Sequence, residues 1–202
     1  MKTAHLSVFI VLCINVVSAS ARSVAAKAAT TLPNILFILA DDLGYGDVRC
    51  YNAESKVPTP NIDRLASGGV RFTDAHSPCT VCTPSRYALM TGQMAFRVPR
   101  GGTVFQGVGG PSLIAPGRLT LPAMLKQQGY ETAAVGKWHI GLTFRNKAGE
   151  PIHSGRLEDV QRVDYSRRIE GGPLDHGFER FFGTACCPAT DWLYAFIDGD
   201  RI

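Results

Sequence analysis

Charge is scarce in this 202-residue sequence: Asp, Glu, Lys and Arg make up 19% of it, and 21 basic against 17 acidic residues leave a formal charge of +4. The basic residues are scattered rather than striped, so the electrostatic footprint of a nucleic-acid binder is missing. Low charge beside 45% apolar residues also excludes intrinsic disorder. Cysteine is scarce too, with six residues, far below the density of a disulfide scaffold. The one long apolar run, Leu6 to Val17, is too short to span a bilayer comfortably, which argues against stable membrane insertion. There is no internal repeat, and the 21 glycines lack the period of three that collagen requires. The Gly-rich stretch 101–110 has neither a P-loop lysine nor dinucleotide spacing, so nucleotide binding is excluded.

What the sequence does have begins at its N-terminus. Lys2, the apolar run and the small-residue triplet Ala19-Ser20-Ala21 have the layout of a cleaved signal peptide. Residues 1–21 are therefore expected to direct export, to a periplasmic or extracellular destination where disulfides are allowed. Cys50, Cys79, Cys186 and Cys187 are candidates for such bonds, with their pairing open. Residues 22–32 are a small-residue spacer, and the domain is expected over 33–202. At the far end, Leu193 to Ile197 reads as a strand entering an Asp198-Gly199 turn, so the chain is expected to be truncated there.

Between these ends, short apolar runs alternate with capped helical patterns. Asn34 to Ala40 reads as a strand buried on both faces. Thr59-Pro60 starts a helix over 61–67 with Ile62, Leu65 and Ala66 on one face, and Val70 to Thr73 reads as a strand. Thr83-Pro84 repeats the cap-and-proline start for a helix over 85–91. Thr120 caps a helix over 121–128, and Glu131 to Val135 is a strand running into Gly136-Lys137-Trp138-His139. Residues 97–118 read as a long loop, flanked by Arg97 and Arg100, and 143–173 as a polar surface insertion or lid. The alternation predicts an α/β fold with a mostly parallel central sheet and helices on both faces.

Two groupings carry chemistry. Asp41 and Asp42 follow the first predicted strand, where open α/β sheets place ligands. Adjacent carboxylates that stay ionised suit a hard divalent cation such as Ca²⁺ or Mg²⁺, although a polar strand cap reads the same way. Cys82 stands at the start of a helix, where anions bind and thiols are activated, and Arg86 one turn on can grip an oxyanion. Cys79 and Cys82 also form a Cys-x-x-Cys pair, a redox motif or half of a zinc site; a zinc site would need further Cys or His. Lys137 and His139, two apart on a strand, would share a face, with Trp138 turned into packing. His76, His153 and His176 read as structural.

Cys82-Thr83-Pro84-Ser85-Arg86 with Leu89-Met90-Thr91-Gly92 resembles the first signature of the sulfatase family, of the alkaline phosphatase superfamily. Gly129-Tyr130-Glu131-Thr132 and Val135 to His139 resemble its second, and residues 33–47 and 59–66 are similar to its members as well. This resemblance implies an arylsulfatase-like hydrolase of sulfate monoesters on sulfated small molecules or carbohydrates. Cys82 would be oxidised to formylglycine by a maturation enzyme. One hydroxyl of the hydrated aldehyde would attack sulfur as the alcohol leaves; loss of the proton from the second would expel sulfate and restore the aldehyde. By the same resemblance Asp41, Asp42 and residue 82 hold Ca²⁺ (or Mg²⁺), Arg86 supports residue 82, Lys137 takes the sulfate charge and His139 is the base. The family's later metal and sulfate ligands have no counterpart before Ile202, so 33–202 would be the first part of a catalytic domain. Two other readings are a phosphonate monoester or phosphodiester hydrolase with the same aldehyde, and a non-catalytic truncated domain.

Overall fold

The computed structural model describes residues 32–98, 104–105, 110–188, 191–193 and 195–202. The expected signal peptide, all of the spacer but Leu32, and Arg100 lie outside the described residues. Among the described residues, no helix is long and apolar enough to cross a membrane. The chain divides into residues 1–39 and 40–202.

In the first unit, residues 32–39 form no strand and leave Leu36 at 86% and Ile38 at 75% exposure. This corrects the buried strand expected at Asn34 to Ala40. An apolar run becomes a strand only where neighbours satisfy its backbone groups. Val70 to Thr73 is likewise not a strand, and Val70 and Phe72 are exposed.

The second unit opens with helix α1 (Pro60–Gly68), proline in its first turn as the sequence indicates. Its expected apolar face is uncovered: Ile62 and Leu65 are exposed. Thr59 gives no cap to the helix; its hydroxyl accepts from Arg49 N and donates to Asp63, whose carboxylate also accepts from Cys50 N. Helix α2 spans Cys82–Thr91 and ends at Gly92, in the left-handed conformation. It starts earlier than predicted, with Val81 at the N-cap. Thr83 is thereby drawn inside the helix, fully buried, and its hydroxyl accepts from the Phe105 N–H across the core. Helix α3 (Leu121–Gln127) is capped as expected, Thr120 Oγ1 accepting from Ala123 N.

Strand β1 (Ala133–Lys137) runs parallel to β4 (Arg180–Thr184), which is antiparallel to β5 (Ile197–Asp198). The order β1-β4-β5 makes a three-stranded mixed sheet, and the α/β class is as anticipated. Gly136 and Gly183 face each other in the parallel register; a side chain at 183 would collide with the Gly136 carbonyl, so only glycine fits. The Asp198-Gly199 turn forms as predicted, with Asp198 and Arg201 exchanging backbone hydrogen bonds and Gly199 at φ +65°.

Residues 143–173 are not a surface lid. Strands β2 (Phe144–Arg145) and β3 (Pro151–Ile152) pair as a hairpin, helix α4 (Leu157–Val160) follows, and Phe144, Ile152, Val160, Val163 and Ile169 are buried in the core. The polar residues outnumber these anchors in sequence, which hides the segment's packing role. Phe105 and Ile114, within the expected open loop 97–118, are core residues too. Trp138 packs inward as expected, against the ring of His176 at 6.1 Å.

Candidate active site

Parallel strands end at the same edge of a sheet, and the residues just beyond their ends are brought together there. Lys137 ends β1 and Thr184 ends β4; Trp138 N–H donates to the Thr184 carbonyl and His139 N–H to that of Ala185. The ladder thus delivers Lys137, His139 and Cys187 to one place. Helix α2 supplies Cys82 from its first residue and Arg86 one turn later, on the same face. Asp41 and Asp42 line the same cleft of about 530 Å³ as Lys137 and Cys187, with Gly136 and Gly183 in its wall. A cleft of that size suits a small-molecule substrate.

The charges interlock. Lys137 Nζ pairs with Asp41 Oδ2 and donates to Cys187 Sγ at 3.3 Å. The Arg86 guanidinium donates to the Lys137 carbonyl at 2.5 Å and lies 3.5 Å from Asp41 Oδ2. The hydrogen bond from Lys137 holds the Asp41 carboxyl below the usual range against the opposing effect of burial, with Arg86 adding to it. Burial works against the Lys137 ammonium, but its bonds to Asp41 and Cys187 outweigh it and raise its pKa. Arg86 Nε is buried and has no hydrogen-bond partner among the described residues. A buried donor without an acceptor is a costly feature that a bound oxygen would relieve.

His139 does not sit as strand alternation predicts. The strand stops at Lys137, and His139 adopts φ 58° with its side chain fully buried. Its Nε2 lies 2.6 Å from the Phe105 carbonyl, which can only accept, so Nε2 carries the proton and Nδ1 keeps its lone pair. Nδ1 is 3.9 Å from Cys187 Sγ. Burial depresses the His139 pKa, and Lys137 and Arg86 add to that while Phe105 and Asp191 oppose it. The environment thus favours the neutral ring, whose Nδ1 faces Cys187 Sγ. Asp42, at φ 61°, and His139 are the two non-glycine residues with positive φ among those described. Such strain, of order 1–3 kcal/mol per residue, clusters where function demands it.

All six sequence-predicted residues, Asp41, Asp42, Cys82, Arg86, Lys137 and His139, fall in this one region. Cys79 does not share in the cluster that its spacing suggested. Cys82, His139 and Cys187 instead place their ligand atoms within 4.8 Å of one another. Cys187 is the residue that sequence reasoning passed over: its vicinal pairing with Cys186 gave no spacing signal. Asp191, 5% exposed with Oδ2 unpartnered among the described residues, gave none either. All five described cysteines are free thiols, so none of the expected disulfide candidates is paired. Burial pushes the Cys186 thiol far up, marking it as inert core.

A hard cation such as Ca²⁺ takes six to eight oxygens. Asp41 and Asp42 supply carboxylates facing one cleft, but Asp41 is already held by Lys137 and Arg86. These donors fit such an ion as contributors, and among the described residues they are too few to hold it alone.

Human steryl-sulfatase is 38% identical over 172 residues, covering 83% of this chain and 26% of its own length. Bovine (Bos taurus) arylsulfatase A is 47% identical over 121 residues, covering 58% and 23%. A solved structure from work on the metabolism of multiple glycosaminoglycans by Bacteroides thetaiotaomicron superposes with a TM-score of 0.68 at 35% identity, covering 84% of this chain and 31% of that one. The chain thus spans about a quarter of the length of the curated relatives it matches. The sulfatase family model matches residues 33–195, across both signatures, and the chain belongs to the sulfatase family.

Proposed function

We propose that the protein to which this chain belongs hydrolyses sulfate monoesters, using residue 82 as a formylglycine nucleophile. The observation that supports this most is the convergence of Cys82, Arg86, Lys137, His139 and the Asp41-Asp42 pair on one cleft edge. Formylglycine at residue 82 would supply a hydrated-aldehyde nucleophile for sulfur, and a divalent cation would supply charge stabilisation. Asp41 and Asp42 would be two of that cation's oxygen ligands, with Ca²⁺ ahead of Mg²⁺ on the flexibility of its coordination. Lys137 offers the ammonium that takes up sulfate charge. His139 holds an unprotonated Nδ1 for the proton that must leave residue 82. Arg86 Nε, without an acceptor among the described residues, would donate to an oxygen on residue 82.

The substrate is a sulfated small molecule or sulfated carbohydrate: the relatives are named for steryl and aryl sulfates, and the solved neighbour for glycosaminoglycan metabolism. Export through residues 1–21 and maturation by a formylglycine-generating enzyme belong to the same proposal. Two measurements on the complete protein test it. Mass spectrometry of the peptide containing residue 82 is expected to find formylglycine, and unmodified cysteine throughout the native protein would refute the reading. Turnover of an aryl sulfate is expected to exceed that of an aryl phosphodiester; the reverse order would favour the phosphoester alternative. The small number of oxygen donors supports a further reading, that the 202-residue chain by itself is inactive. Tight stoichiometric Ca²⁺ binding to it in a calorimeter would overturn that.

A further inference from the structure

The proposed hydrolysis gives Cys187 no role, yet its sulfur lies within the cluster. Cys82 Sγ, His139 and Cys187 Sγ have donor atoms all within 4.8 Å of one another, and Cys187 Sγ is 3.9 Å from His139 Nδ1. Zinc bonds of about 2.0–2.3 Å in a tetrahedron set donors roughly 3.3–3.8 Å apart, so adjustments of an ångström or less close the site. The ring is already presented as metal-bound histidines are: Nε2–H is fixed on the Phe105 carbonyl and Nδ1 is left as the ligand. Lys137 Nζ donates to Cys187 Sγ at 3.3 Å, which fixes where that sulfur sits. His139 is fully buried and both cysteines are half-buried, so the donors are held by packing.

Two sulfurs and one nitrogen are soft donors that select zinc over calcium or magnesium. We propose that, while residue 82 remains a cysteine, Cys82, His139 and Cys187 bind a zinc ion with a fourth position left to water. This site is distinct in chemistry from the oxygen-liganded cation proposed for hydrolysis and exists only before conversion. The thiol that zinc holds is the one that becomes formylglycine, so the two states exclude each other.

The test uses the full chain made without the maturation enzyme, kept reduced with a phosphine, and it measures no sulfatase activity. Zinc is expected to slow alkylation of Cys82 and Cys187 by at least about tenfold, as metal-held thiolates are masked, while Cys50 and Cys79 react as before. Cobalt in place of zinc is expected to give a thiolate-to-metal absorption band in the near ultraviolet. C187A and H139Q are expected to weaken binding by more than about 100-fold, beyond what loss of an outer-shell partner costs. C79A is expected to bind as the unsubstituted chain does. Unchanged alkylation of Cys82 and Cys187 would overturn the proposal, as would a C79A chain that loses zinc while C187A keeps it. Should C187A fail to fold, the alkylation pattern of the unsubstituted chain decides alone.

Discussion

His139 combines two features that a merely packed histidine does not need together: a left-handed backbone and a ring whose tautomer is set by a carbonyl. Turning out of the strand at φ 58° points Nδ1 at the cluster instead of along the sheet face. In the complete protein, H139Q is expected to lower kcat for an aryl sulfate by about 10²–10⁴, the range for a lost general base. K137A is expected to cost about 10²–10³ in kcat, as for a lost donor to developing charge. Steady-state kinetics on the two variants measure both, and a KM effect alone would show binding without catalysis. His176, the other buried histidine among the described residues, is structural: Ser112 Oγ is 3.0 Å from its Nε2, and its ring stacks on Trp138. Burial lowers its pKa, opposed by Asp175 and the Gly171 backbone. Its depressed folded-state value means that its contribution to stability is complete above the unfolded value near 6.5 and is lost as pH falls through the folded one. Thermal melts between pH 7.5 and 5 are therefore expected to show falling Tm, with a shallower slope for H176Q. His139 shifts in the same direction and leaves a residual slope in that variant.

Among the elements, α3 has the plainest local cause. Thr120 is 2% exposed, caps the helix through Oγ1 and donates from the same hydroxyl to the His176 carbonyl at 2.6 Å. T120A removes a cap and leaves a buried carbonyl unsatisfied, so it is expected to cost about 1–3 kcal/mol in urea denaturation, and T120S to recover most of it. Helix α2 shows where local reasoning stops. Thr83-Pro84 has the pattern of a cap and first turn, but the Phe105 N–H claims the Thr83 hydroxyl, and the helix extends back to Cys82. That shift makes residue 82 the first residue of the helix instead of a loop position before it. Strand β1 was legible from its apolar run; its partner β4 was not, because a parallel pairing joins segments about 47 residues apart with no local signal.

For the molecule as a whole, the sheet leaves apolar side chains uncovered. Val135 is 85% exposed, and Phe182 and Phe196, at 48% and 63%, stack on each other at 5.3 Å. All three line the cleft that holds Asp41 and Lys137. An exposed apolar patch of this kind binds hydrophobic dye. The 202-residue chain is expected to enhance anilinonaphthalenesulfonate fluorescence, and the double variant V135S/F182S to reduce it.

Residue identity alone determined the family signatures, the helix caps at Thr120 and Gly92 and the Asp198-Gly199 turn, and it pointed to the six candidate residues that the fold gathers, because each rests on spacing within a few positions. Only the tertiary structure decided that His139 leaves its strand, that residues 143–173 help fill the core, and that Cys187 rather than Cys79 meets Cys82. Those outcomes depend on which distant backbone groups satisfy one another: the β1–β4 ladder carries Cys187 to His139, and the Phe105 backbone fixes both Thr83 and the imidazole. No short window of sequence contains both partners of such a bond.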